Sequence, residues 1–208
     1  MHLMQGYILN INKVRDEDII VTILTKNRLK TLYRFYGARH GNINIGYKID
    51  FEAISSSKSS IKMLRNVLHL GNKWMNDPKR FFIWQHFIKL LFKHLKDVEE
   101  LDSFYIELLD EMNRKFSKQN PIRVAVESYI KLLSHEGRLH DDFLCFICEG
   151  EIENDLVITR SFLPAHQRCL FGTIVNKRKM ENLFLSSSTL PLDDEEVGWL
   201  WKILQEGF

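Results

Sequence analysis

Long apolar stretches are missing from this chain of 208 residues. No run approaches the roughly 20 residues that span a bilayer, so no membrane-spanning helix is expected. The opening Met1-His2-Leu3-Met4-Gln5-Gly6 also lacks the basic start and apolar core of a secretory signal. A soluble, cytoplasmic protein without membrane contact is the expectation. Cysteine is scarce and odd in number, at 3 residues, so the thiols cannot all pair within the chain. A secreted disulfide framework explains them poorly, and reduced metal ligands explain them better. Signatures of catalysis are absent too. The chain has no phosphate-cradling glycine loop, no GxGxxG after a strand, no HExxH, no GxSxG, and no nucleophile spaced for a partner base. Acidic clusters at 16–18, 99–102 and 193–196 fall at turns or helix starts, where carboxylates stay solvated or face the helix dipole. No enzymatic activity is expected.

What is present is a pair of pairs. Cys145-Phe146-Ile147-Cys148 is followed, after 17 intervening residues, by His166-Gln167-Arg168-Cys169. A CxxC turns two thiolates toward one point, and a second pair of equal spacing supplies the other corners of a tetrahedron suited to zinc. A closed Cys3His set leaves no open coordination position, so the expected zinc is structural and a metal-dependent hydrolase is disfavoured. His135, His140, Asp141 and Asp142 are near enough in sequence to compete with His166 for the fourth corner.

The net charge of +2 conceals an asymmetry: residues 1–70 hold 11 basic against 5 acidic side chains, and the remainder 18 against 22. A polyanion is therefore expected to meet the first third of the chain. That third also reads as strands, over Tyr7–Val14, Ile19–Thr25, Leu29–Tyr36 and Lys48–Ile54. Lys26-Asn27-Arg28 forms a hairpin turn with Asn27 suited to the left-handed conformation, Gly37–Asn42 a flexible loop, and Ser55–Ser60 another turn. Ile61–Leu68 fits a fifth strand or a first helix equally well. Five short strands in this space suggest a small barrel of the OB type, with an SH3-like barrel also compatible.

After Asp77-Pro78 the period changes. Phe81, Trp84, Ile88, Leu91, Phe92 and Leu95 recur at helical spacing, a second helix is expected over about 102–117, and Asn120-Pro121 opens a third that ends near Gly137. Together these predict a helical bundle. A zinc module over about 143–175 follows, with a strand near Leu156–Thr159, and Pro191–Glu196 opens a last helix. The expected class is α+β multidomain, with an OB-fold-like basic barrel at 1–72 and a helical domain carrying the zinc module at 73–208.

Lys26, Arg28, Lys30, Arg34 and Arg39 lie close together and interleave with Tyr33, Phe35 and Tyr36. Cations that track phosphates beside rings that stack on unpaired bases are what single-strand binding requires. On an ideal strand Lys30, Arg34 and Tyr36 share one face, which leaves Tyr33 and Phe35 for the barrel core. The expected DNA contacts are thus Lys26, Arg28, Lys30, Arg34, Tyr36 and Arg39. Lys177-Arg178-Lys179 is a second basic candidate.

Gly6-Tyr-Ile-Leu, the acidic break Asp16-Glu-Asp18, the strand Ile19–Thr25 and the closing Tyr36-Gly-Ala-Arg39 resemble the N-terminal barrel of the RecO recombination mediators. The order of barrel, helices and late ligand pairs resembles that family over nearly the whole chain. The resemblance implies a non-enzymatic DNA-repair factor that binds single- and double-stranded DNA and anneals complementary strands. It implies action with RecR in loading RecA onto DNA coated by single-strand binding protein, hence a nucleoid-associated place in a bacterial cytoplasm. It also maps zinc binding onto Cys145, Cys148 and Cys169, with His166 standing where the family commonly has cysteine. The competing expectation is a zinc-stapled protein-interaction adaptor that does not touch nucleic acid.

Overall fold

A computed structural model describes residues 3–39, 41–56 and 59–208. The central pair of the expected turn Ser55–Ser60, Ser57 and Lys58, lies outside the described residues, as does His40 of the expected loop Gly37–Asn42. Five strands, β1 (Met4–Lys13), β2 (Ile19–Leu24), β3 (Leu29–Arg34), β4 (Lys48–Ser56) and β5 (Ser59–His69), close a barrel in the order β1-β2-β3-β5-β4. The ambiguous run after residue 60 is therefore a strand. Only Leu64 of β5 is buried, which is why its periodicity is weak. Ile8, Ile19, Val21, Ile23, Leu32, Ile49, Phe51 and Leu64 fill the barrel.

The connection from β2 to β3 is closed by Thr25 N–H and hydroxyl donating to the Arg28 carbonyl at 3.0 and 2.8 Å. Asn27 does not adopt the left-handed conformation expected of it. A four-residue hairpin connection is most often built around a right-handed turn and has no need of one. Gly37–Arg39 is likewise a 3-10 turn. The Ala38 N–H donates to the Glu17 carbonyl at 2.9 Å, so this stretch is tethered where a flexible loop was expected.

Contacts divide the chain into two compact units, residues 1–117 and 118–208. The change in sequence period near residue 77 and this division mark different things, because two helices pack in the barrel's unit. Helix α1 (Pro78–Leu95) is capped by Asp77, whose carboxylate accepts from the N–H groups of Lys79 and Arg80, with proline at its first position. Helix α2 (Phe104–Phe116) follows. Residues Gly6 to Leu9 of β1 are all buried, because one face fills the barrel and the other meets α1. Tyr7 lies 5.8 Å from Trp84, and Trp74, Trp84 and Phe116 pack with centroids 5.0–5.5 Å apart. The Tyr7 hydroxyl donates to Asp110 at 2.7 Å, and Lys48 donates to the same oxygen at 2.6 Å. Burial first, then the Asp110 carboxylate, raises the Tyr7 hydroxyl well above the ordinary tyrosine range.

In the second unit α3 (Pro121–His135) packs on the last helix, α5 (Asp194–Gln205), and a small sheet of β6 (Asp155–Ile158), β7 (Pro164–Ala165) and β8 (Ile174–Asn176) runs in the order β7-β6-β8. Arg123 fastens the turn before α5 by donating to the Thr189 and Leu192 carbonyls and to Asp194. Helix α4 (Lys177–Ser186) went unread in the sequence. Its apolar stripe is only Met180, Leu183 and Phe184, behind a run of charges, and Asn176 as its cap was the one visible signal. None of the described helices is long and apolar enough to cross a membrane.

Gly46 tests how α1 is seated. It sits at φ 87° with its carbonyl accepting from Trp84 Nε1 at 2.8 Å, and a Cβ there would lie 2.4 Å from that nitrogen. Gly46→Ala is expected to lower stability by about 2–4 kcal/mol, combining backbone strain with overpacking, as read by the urea midpoint.

Candidate metal centre and nucleic-acid face

The second unit brings Cys145, Cys148, His166 and Cys169 together, with their ligand atoms all within 4.8 Å of one another. His135, His140, Asp141 and Asp142 are not part of the group, so the fourth corner falls to His166. The knuckle forms locally. The Cys145 N–H donates to the Gly150 carbonyl at 2.9 Å, and the Glu149 N–H returns to the Cys145 carbonyl at 2.7 Å. Glu149 takes φ 57° to close this turn. On the other arm, the Cys169 N–H donates to the His166 carbonyl at 2.9 Å.

The spacing of the donors suits a tetrahedral ion. Zn–S bonds of about 2.3 Å place the corners of a tetrahedron about 3.8 Å apart. The sulfurs of Cys148 and Cys169 are 3.7 Å apart, and His166 Nδ1 is 3.3 Å from Cys148 and 3.9 Å from Cys169. His166 Nε2 points away, 3.0 Å from the Glu151 carbonyl, an outer partner that fixes which nitrogen faces the sulfurs. Burial opposes ionisation of the Cys145 thiol, but N–H groups of His166, Cys148 and Ile147 outweigh it and hold the thiol at about 6. The group could therefore hold a metal.

The first unit distributes its cations unevenly. In the β2–β3 register Ile19, Val21 and Ile23 stand opposite Arg34, Leu32 and Lys30. Directly paired residues point to one side, so Lys30 and Arg34 share the inward face of Leu32 and cover the two ends of the barrel. This reverses the expected faces for the rings. Tyr33 is half-exposed on the outside and Phe35 is 50% exposed, the two meeting edge to face at 4.9 Å. Tyr36, 60% exposed, lies beyond the strand, which ends at Arg34. Registration against β2 decides the faces, and the sequence of β3 alone does not reveal it.

At the seam where β3 runs parallel to β5, with Tyr33 opposite Met63, a cleft of about 370 Å³ opens between Arg34, Phe35, Tyr36 and Arg65. Arg34 donates to the Leu64 carbonyl at 3.0 Å, while its buried Nε meets no acceptor among the described residues. Burial and then the neighbouring Arg65 lower its guanidinium below the ordinary range. Burial, followed by Arg28 and Lys62, likewise lowers the Lys30 ammonium. Arg65 and Lys62 were missed because β5 was not recognised as the strand beside β3. Several other cations are paired with carboxylates or lie near them. Arg39 pairs with Glu17, and Arg28 shares a recess of about 390 Å³ with Glu99 and Glu100, beside the exposed Lys26. Lys177 pairs with Glu181 and Lys179 with Glu196, which leaves little of that second basic candidate.

Residues 4–75 match the protein family described as RecO N terminal. No curated protein matches the chain.

Asp18 accepts from the Tyr33 hydroxyl and, at 2.7 Å, from the Tyr36 N–H, and those two bonds lower its carboxyl below the ordinary range. A depressed folded value gives stability that is present above the unfolded pKa, near 4, and is lost as the pH falls through the folded one. Asp18→Ala should thus be less stable than the parent at pH 7, with the gap narrowing below about pH 4. Urea midpoints at the two pH values check this, and a gap independent of pH would contradict it.

Proposed function

We propose that this chain, whose residues 4–75 match the RecO N-terminal family, is a DNA-binding mediator of recombinational repair without enzymatic activity. The observation that carries the proposal is the β3–β5 cleft, where the exposed rings of Phe35 and Tyr36 stand beside Arg34 and Arg65. Guanidinium groups neutralise phosphates, and rings offer faces on which unpaired bases stack regardless of sequence. An OB barrel receives oligonucleotides on the face of its second and third strands and the adjoining loops, and β3 belongs to both that face and this cleft. Arg34 and Tyr36 are the proposed contacts that line this cleft, together with Arg65, and Lys30 with the neighbouring Lys62 would extend the contact along β3. Arg39 lies at its margin, and Lys26 and Arg28 make a weaker outer contact because Glu99 and Glu100 lie beside them.

Binding of duplex DNA, annealing, partnership with a RecR protein, and RecA loading on strands coated by single-strand binding protein belong to the same reading. So does a cytoplasmic, nucleoid-associated location. The Cys3His group is proposed to hold one structural zinc through Cys145, Cys148, His166 and Cys169, cross-linking the two arms that carry the paired ligands. An adaptor role for the second unit is favoured separately by its bare apolar side chains, among them Phe171 at 102% exposure. Nuclease-treated pull-downs that retain a protein partner, from a chain that binds no oligonucleotide, would select that alternative.

Fluorescence anisotropy of a labelled oligothymidylate across a salt series tests the DNA reading. The parent chain is expected to bind at low salt and weaken as salt rises. Arg34→Ala with Arg65→Ala should weaken it further and flatten the log–log slope by about 1.4, at about 0.7 per single-strand phosphate contact. No binding at low salt, or an affinity indifferent to salt, would sink it. For the metal, elemental analysis is expected to give one zinc per chain. Cys148→Ser should lose it together with the thermal stability of the second unit, and retention of the melting transition after chelation would count against a structural ion.

A further inference from the structure

The loop between β1 and β2 is acidic, and two of its carboxylates hold residues at the margin of the cleft. Glu17 pairs with Arg39, and its carbonyl accepts from the Ala38 N–H at 2.9 Å. Asp18 accepts from the Tyr33 hydroxyl and from the Tyr36 N–H. Tyr36 is held at φ 51°, a conformation that a bulky residue keeps only where its surroundings impose it. The Arg39 guanidinium in turn lies 5.7 Å from the centre of the Tyr36 ring, over the face a base would use. Cation and ring, the two elements of a strand-binding site, are thus occupied from within the chain.

We infer that the β1–β2 loop is an autoinhibitory strap, in which the Glu17 carboxylate stands in for a phosphate on Arg39 and a single strand gains the site by displacing it. The inference rests on the single-strand reading of the cleft proposed above. The chemistry of the exchange is matched, since a guanidinium forms the same forked, charge-assisted bonds with carboxylate and with phosphate. The strap is also weak enough to release. The Arg39 side chain is 67% exposed, so solvent screens the pair from that side although the Glu17 oxygen facing it is buried, and the pair contributes little that a phosphate could not replace. When Arg39 turns to the strand, its guanidinium leaves the Tyr36 ring and uncovers a stacking face. Asp18 keeps Tyr33 and Tyr36 in place meanwhile, so the site is exposed without being dismantled.

The test is oligothymidylate anisotropy on the full chain at low salt. Glu17→Gln is expected to bind about fivefold more tightly than the parent, with a log–log salt slope close to the parent's, because the bound state carries the same phosphate contacts in both. Asp16→Asn removes the same charge from the same loop at a residue that makes no ion pair among the described residues, and asparagine tolerates its φ of 43°. It should tighten binding less than about twofold, the share of a general field effect. In an Arg39→Ala background Glu17→Gln should give no gain beyond that field effect. Glu17→Ser must reproduce the Glu17→Gln result, which guards against a folding artefact in either variant. The inference is overturned if Glu17→Gln and Glu17→Ser bind no more tightly than the parent, if Asp16→Asn gives an equal gain, or if the gain persists without Arg39. A parent that binds with the expected slope while Glu17→Gln fails to tighten removes the strap and leaves the DNA reading intact. Failure of both to bind removes the DNA reading and the strap together.

Discussion

Everything in the N-terminal unit depends on the parallel pairing of β3 with β5. An open five-strand sheet would present two unpaired edges, and the row of bare N–H and C=O groups along each would pair with any available strand. Pairing Tyr33 with Met63 removes both edges at once and completes the enclosure in which Leu32 and Leu64 meet Phe51. The seam is short, and Arg34 extends it by donating from its side chain to the Leu64 carbonyl. The same closure creates the cleft, because strands that cross at a barrel seam diverge beyond their last shared bond. Core and cleft therefore have one cause.

That cause explains what could be read from the chain and what could not. Strands β1 and β2 were legible because their apolar residues alternate or run continuously between polar turns, and the helix starts at Asp77 and Asn120 were legible because cap and proline occupy adjacent positions. The four metal donors were legible for a similar reason, since the CxxC and HxxC geometries are set within a few residues. The face of β3 was not. It depends on which residue of β2 stands opposite which of β3, and a shift of one residue would exchange Leu32 with Tyr33. Strand β5 was ambiguous because Leu64 is its only buried residue, and α4 was unread because three apolar side chains make too narrow a stripe.

Counting cations was the least informative part of the sequence, for a physical reason. A basic residue attracts a polyanion only to the extent that no carboxylate has already claimed it, and the claimants come from elsewhere in the chain. Glu17 reaches Arg39 across the β1–β2 loop and the 3-10 turn, Glu196 reaches Lys179 from α5, and Glu99 and Glu100 of the α1–α2 connection line a recess with Arg28 without an ion pair among the described residues. No run of lysines and arginines discloses such partners. What remains after subtraction is a smaller group centred on Arg34, Arg65, Lys30 and Lys62. Two of its members, Arg65 and Lys62, lie on the strand whose identity was ambiguous.

The two candidate sites also hold their shape by opposite means. In the metal group, chain turns of a few residues aim the sulfurs, N–H donors favour the thiolate of Cys145, and the Glu151 carbonyl fixes the His166 ring. Most of these devices act within a few residues of the ligand they aim. The cleft has no such local logic. Its rings and guanidiniums come from β3, the turn after it and β5, and they stay in register only while the barrel stays closed. A substitution in the core, such as at Leu32, would accordingly disturb the cleft, because Leu32 is the one fully buried side chain of the strand that presents Arg34 and Tyr33. Position in the fold, more than the identity of the basic residues, makes this surface fit for a nucleic acid.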